Sequence, residues 1–438
     1  MYKIFFLGRK DSYPYLCRVI DNLTTDMQKT SNKFQGISVP QLLSLIPDEE
    51  LARLAADTNV DYYSKVLYGR SVFYMILMGL LCSERASLRV LEDIFNRKGF
   101  KTMFNLDPSK TIKHNSISER LDVMDVSFFE GAFALFYERL SQFYSQDEML
   151  SQKIVRVDST TVAERSRSMV AETSAKLLEG MCVGCKKDGK KQIKYTIAFD
   201  GIFPCGVEVF SEQNDLCEER TIPKVVFSCA ERYKGKIFVF DRGMQKRETF
   251  DALSKEKIEF VCRLKESSRR EVVRTIETGN SRRIGSLFLV SDQEVRLFGT
   301  RNKKPTAETF RLITTVNEKG EQYLFLTNIF DLLPEVIVLF YRKRWDMVTE
   351  QSRSIELLNR FLKQELNLSH FFSTKINGIK IILYMTLILA MLVLIYKRKN
   401  NLGFKTAKRR FMYELDWMLT KIIVHLCGGK DPDIVLRI

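Results

Sequence analysis

Between about Val39 and Leu150, apolar residues recur at three- and four-residue steps through PQLLSLIPDEELARLAA, SVFYMILMGLLCSERASLRVLEDIF and SFFEGAFALFYERLSQFY. That spacing lays one apolar stripe along a helix, and it predicts an α-helical N-terminal domain over residues 1–150. At Gln152 the texture changes. Short runs rich in β-branched and aromatic residues follow one another: KIVRVDS, QIKYTIAFD and CGVEVFSE. A helical stretch, TIPKVVFSCAERY, then leads to a strand, KIFVFD, a helix, QKRETFDALSKEK, and a further strand, IEFVCRLK. Strands alternating with helices predict an α/β core.

The order three strands, helix, strand, helix, strand is that of a ribonuclease H-like sheet, assigned here to residues 151–267. From about Ser268 the pattern is of strands separated by Gly and Asn turns, with SLFLVSD, EVRLFGT, FRLITTV and QYLFLTN. Residues 268–331 are therefore read as a β-rich insertion domain interrupting the core. Pro334 then falls in the first turn of a helix running through EVIVLFYRKRW, where its missing N–H costs nothing. The second part of the core is placed at 332–400 and a basic helical segment at 401–438. Ile379 to Tyr396 is almost wholly apolar. Its length is at the lower limit for a membrane span and Lys380 lies within it, so a buried helix is preferred to a membrane anchor.

Composition adds a partner class. Across 438 residues, 69 Lys and Arg against 54 Asp and Glu give a net charge of +15 and a pI near 9.3, which favours a polyanion. The cations come in clusters: Lys186, Lys187, Lys190 and Lys191; Arg301, Lys303 and Lys304; Arg342, Lys343 and Arg344; Lys405, Lys408, Arg409 and Arg410. Lys110, Lys113 and Ser116 to Arg120 are a further candidate DNA contact in the helical region. Nine cysteines at irregular spacing, with no signal peptide, suggest free thiols in a reducing cytoplasm. The Cys182–Cys185 pair has no second pair and no histidine close by in sequence to complete a zinc site.

The candidate chemistry is acidic. Asp158 ends the apolar run IVRVD and Asp241 ends IFVFD, so both carboxylates are expected at the carboxyl edge of buried strands, where open α/β sheets place their sites. Two such groups are costly to bury unless divalent cations compensate them. Phosphodiester chemistry uses that arrangement, because a pair of Mg²⁺ ions can assist both the attacking and the leaving oxygen. Three histidines in the whole chain give little support to a zinc or histidine-based hydrolase.

Taken together, VDSTT at Asp158, FDRGM at Asp241, LTN ending at Asn328, YRKRW from Tyr341 and IELLNRFLKQELNLSHF from Ile355 resemble the DDE transposases of bacterial insertion sequences, family four. The hallmark of that family is Tyr-x2-Arg-x3-Glu-x6-Lys, and the likeness runs from Gln152 to about Met391. The resemblance implies a ribonuclease H-like core split by a β-rich insertion, with Asp158, Asp241 and Glu356 as catalytic metal ligands for two Mg²⁺ ions, Mn²⁺ being an alternative. It implies cleavage of double-stranded DNA at inverted-repeat ends, transfer into target DNA, a homodimer on paired ends, and a cytoplasmic, nucleoid-associated location without a membrane. By the same carry-over Tyr341, Arg344 and Lys363 contact phosphates near the transposon end. Arg242 is added as a DNA contact.

The spacing departs from the family at one point. Counting from Tyr341, Arg344 falls in place, but the glutamate position holds Val348 and Glu350 comes two residues late. Glu356 keeps the spacing to Lys363, and removing Met347 to Ser354 restores the whole motif. A second oddity comes after Asp158. Val162 to Ser168 reads VAERSRS and Val348 to Ser354 reads VTEQSRS, alike at five of seven positions. We hypothesise that one short DNA repeat entered the gene twice, adding eight residues each time; related genes that usually carry both octapeptides would sink this idea. In a continuous helix, eight extra residues displace the glutamate and lysine positions by roughly 12 Å and 80°. A DNA-binding remnant without catalysis is therefore the alternative to an active transposase.

Overall fold

A computed structural model describes residues 36–46, 48–82, 86–144, 153–163, 182–183, 191–211, 215, 217–278, 282–299, 304–342, 361–363, 366, 372–373 and 375–429. The chain divides into two compact units, one of residues 1–143, 166–180 and 360–438, the other of residues 144–165 and 181–359. In chain order the helices are α1 (Val39–Leu43), α2 (Asp48–Asp57), α3 (Gly69–Cys82), α4 (Leu88–Asn96), α5 (Lys98–Met103), α6 (His114–Val123), α7 (Ser127–Ser141), α8 (Glu218–Ala230), α9 (Arg247–Lys255), α10 (Pro334–Arg342), α11 (Ile376–Lys399) and α12 (Phe404–Leu426). The strands are β1 (Ile154–Ala163), β2 (Cys182–Val183), β3 (Lys191–Phe199), β4 (Pro204–Phe210), β5 (Ile237–Phe240), β6 (Phe260–Leu264), β7 (Arg270–Thr278), β8 (Arg283–Ile284), β9 (Leu287–Leu297), β10 (Phe310–Asn317) and β11 (Gln322–Thr327).

The first unit is helical. Local signals set its helix starts: Ser38 and Gln41 form a capping box ahead of α1, and Ser87 accepts from the Val90 amide at 3.2 Å to begin α4. Its centre is α11, which packs against α1, α3, α6, α7 and α12. This helix is long and apolar enough to cross a membrane, yet 89% of its most apolar stretch is buried inside the unit. The expected domain boundary near residue 400 is thereby corrected. A helix that is apolar all round needs cover on every side, and here other helices supply it, so residues 376–399 join the helical unit and not the sheet.

The second unit is mixed α/β, built on one large sheet of order β2-β3-β1-β5-β6-β11-β10-β9-β7, with β4 on β3 and β8 on β9. The pairs β1–β5 and β5–β6 are parallel, and the other pairings are antiparallel. Helix α8 packs on β1, β3 and β4, and α10 on β5, β6, β8 and β11. Under α10 lie Ile154, Ile237, Val239, Val261, Ile313 and Phe325, closed by Ile337, Val338 and Tyr341. Side chains alternate across a strand, so positions 154, 156 and 158 share the α10 face with 237, 239 and 241. On the other face Ser159 reaches Thr221 of α8 at 3.4 Å.

The β-rich segment is not a separate layer. Strand β11 pairs with β6 from Leu324↔Leu264 to Thr327↔Val261, so strands after residue 268 extend the core sheet. SLFLVSD and EVRLFGT merge into the single strand β9, held on one side by β10 and on the other by β7, a strand that the sequence pattern did not single out. Inside this extension Arg311 and Asp292, 3% and 1% exposed, form a bidentate pair with a shortest contact of 2.6 Å. The same guanidinium donates to the carbonyls of Ile329, Phe330 and Leu332, fixing the approach to α10.

Candidate active site

The site begins with strand register. In the parallel pairing Val157 lies opposite Phe240, so the next residues, Asp158 and Asp241, follow on neighbouring strands about 4.8 Å apart. Asp241 comes directly after the end of β5, as expected. Asp158 does not end its strand: β1 continues to Ala163, still paired to β3 through Ala163↔Gln192. What ends beside Asp158 is its parallel neighbour. The carboxylate therefore sits mid-strand, held more firmly than a strand end would hold it.

Asp241 is oriented by two donors on one oxygen. The backbone N–H of Arg242 donates to Oδ1 at 2.7 Å and the hydroxyl of Tyr341 donates to the same atom at 3.2 Å. Tyr341 is 4% exposed, and its ring packs on Phe325 with centroids 5.3 Å apart. The side chain of Arg242 is exposed. Gly243, next in the loop, is passed so closely by Glu218 at the start of α8 that an added Cβ would lie 1.7 Å from Oε2.

Two buried cations and a pair of hydroxyls lie on the strands that carry or flank Asp158, and sequence reading missed them. Arg156, two positions before Asp158 on the same strand face, is 3% exposed. Burial pushes its guanidinium down to about 10, with Asp200 opposing, which leaves it charged at neutral pH. It lies 5.8 Å from the Phe199 ring centroid. Burial also lowers the pKa of Lys194, opposed by Glu218, Cys217 and Asp158. Behind Asp158, Ser159 meets Thr196 at 2.7 Å. The available signal was a cation inside an apolar strand run, in IVRVD and in QIKYT.

Other expected residues are not seen with this pair. Glu356, Arg344 and the competing Glu350 lie outside the described residues. Lys363 sits in a helical segment at 361–363 that belongs to the other unit. Asn328 proves structural: it accepts from Phe260 N at 3.0 Å and donates to the Ile258 carbonyl at 2.9 Å. Cys182 lies in β2, and Cys185 is outside the described residues. Of the basic clusters, Arg342 donates to the Ile284 carbonyl at 3.3 Å, and Lys405, Arg409 and Arg410 are exposed on α12. Among the described residues no three His, Cys, Asp or Glu side chains gather as a metal site.

Two aspartates on neighbouring strands of a mixed sheet are compatible with an acidic centre, and comparison with known proteins narrows the class. Residues 150–392 match the family model described as "Transposase DDE domain". The chain belongs to that family. It is 27% identical over 172 residues to a protein of Sinorhizobium fredii named "Putative transposase y4zB"; the match covers 38% of this chain and 44% of that relative's length. A solved structure titled "Cryo-EM structure of piggyBac transposase synaptic complex with hairpin DNA" aligns with 93% of this chain and 84% of its own at 13% identity, with a TM-score of 0.45.

Proposed function

We propose that this chain is a metal-dependent DNA transposase of the insertion-sequence type, cutting double-stranded DNA at inverted-repeat ends and joining them to target DNA. The observation that carries the reading is the Val157↔Phe240 register, which puts two carboxylates on neighbouring strands in a chain of the DDE domain family. The strand order β4-β3-β1-β5-β6, with α8 and α10 on opposite faces, is the order expected of a ribonuclease H-like core and supports it.

The donor set fits divalent cations. Asp158 and Asp241 offer hard oxygens suited to Mg²⁺ or Mn²⁺, and we assign Glu356 as the third ligand on the family spacing. Bound there, two such ions would supply charge stabilisation for an in-line displacement at phosphorus, first by water and then by a 3′-hydroxyl. The chain's own part is to fix the carboxylates: Arg242 N–H and Tyr341 hold Asp241, and pairing with β3 holds Asp158. The exposed Arg242 and the cations of α12 are assigned to DNA phosphates, with strongly salt-dependent binding. A homodimer on paired ends completes the proposal.

The eight residues from Met347 to Ser354 favour a second reading, a DNA-binding remnant in which the glutamate is displaced. The test is a Mg²⁺ cleavage assay on DNA from the gene's own flanks, comparing the intact chain, Glu356→Ala, and a deletion of residues 347–354. Cutting by the intact chain that Glu356→Ala abolishes supports the active enzyme. Cutting only after the deletion supports the remnant, and no cutting by any form counts against both assignments of Glu356.

A further inference from the structure

We propose that Tyr341 is a positioning residue for Asp241, holding its carboxylate for a divalent cation. The inference rests on the metal-dependent reading above. The phenol is 4% exposed. Its hydroxyl donates to Asp241 Oδ1 at 3.2 Å, and its ring is seated between Phe325 and the α10 core formed with Ile337 and Val338. Because the Arg242 N–H lands on the same oxygen at 2.7 Å, the carboxylate plane is fixed by two donors through Oδ1.

A donor placed behind a ligating carboxylate is an outer-shell partner, and loss of such partners weakens metal affinity by about 10–100-fold. The contact also links two elements. Tyr341 lies on α10 and Asp241 directly after β5, so the hydrogen bond joins that helix to the end of that strand.

The experiment uses the full chain and Mn²⁺ alone as the probe, with bound and free ion separated by electron paramagnetic resonance. The sites lost on Asp158→Asn define the relevant population. Tyr341→Phe keeps the ring and removes only the donor, so Mn²⁺ affinity at those sites is expected to fall about tenfold or more. Thermal unfolding, and binding to flanking DNA in the presence of a chelator, should stay within about twofold of the wild type. Phe325→Leu disturbs the seat of the ring while keeping the hydroxyl, and should leave Mn²⁺ affinity within about twofold. Unchanged Mn²⁺ affinity with weakened DNA binding in Tyr341→Phe would overturn the proposal in favour of a phosphate contact. Equal losses in Tyr341→Phe and Phe325→Leu would overturn it in favour of packing. Absence of Mn²⁺ binding by the wild type would overturn the metal-dependent reading itself, and the proposal with it.

Discussion

Val157 and Phe240 are partners in a parallel pairing, and the residues after them, Asp158 and Asp241, are thereby neighbours on one face of the sheet. Two like charges at that spacing repel when no cation lies between them. Replacing either with Asn should therefore leave the chelated protein as stable as the wild type or more stable, within about 1 kcal/mol. Magnesium should raise the unfolding temperature of the wild type and not that of either variant, because only a state that binds the ion is stabilised by it. Thermal unfolding with and without Mg²⁺ reads both effects.

Arg311 answers the charge of Asp292 and three carbonyls ahead of α10. Arg311→Ala leaves a carboxylate that is 1% exposed without its partner, and should cost about 3–5 kcal/mol in denaturant unfolding. Joint replacement of both residues by apolar ones of similar volume should cost clearly less. Equal losses would show that the pair does not act as a unit.

Glu218 crowds Gly243 in the loop after Asp241. Gly243→Ala must displace that carboxylate, which is the end of a flexible side chain, so a modest loss of about 1–2 kcal/mol is expected, typical of overpacking. In a Glu218→Ala background the same change should cost little, and a double-mutant cycle reading no coupling between them would contradict the contact.

Thiol reactivity separates the described cysteines. Burial raises the pKa of Cys205 well above the usual thiol range, and raises those of Cys229 and Cys262 as well. These three are buried, whereas Cys217 and Cys427 are exposed. At neutral pH a thiol reagent should modify Cys217 and Cys427 quickly, and the other three at the rate of unfolding. Mass mapping of early labelling on Cys262 would contradict the packing around β6.

Some of this was legible in the sequence and some was not, for physical reasons. The places of Asp158 and Asp241 on the sheet could be read because each comes after an apolar run, a local signal. Burial of α11 was legible from Lys380 within an apolar run at the lower limit for a span. The pairing of β11 with β6 was not, because it joins residues some sixty positions apart and local pattern carries no information on partners. The Tyr341–Asp241 bond was not legible either, because it spans 100 positions. β7 escaped notice because its side chains between Glu271 and Ile276 are exposed, so it lacks the apolar alternation of a half-buried strand.

The central claim is that Asp158 and Asp241 form the reacting centre, and end-labelled DNA from the gene's flanks tests it most directly. With Mg²⁺ present, in whichever form of the chain cuts, Asp158→Asn and Asp241→Asn should each reduce the cleavage rate by at least about a thousandfold, equivalent to about 4 kcal/mol. Binding to the same DNA should persist in both variants. Cleavage by either variant within about tenfold of its parent would contradict the assignment.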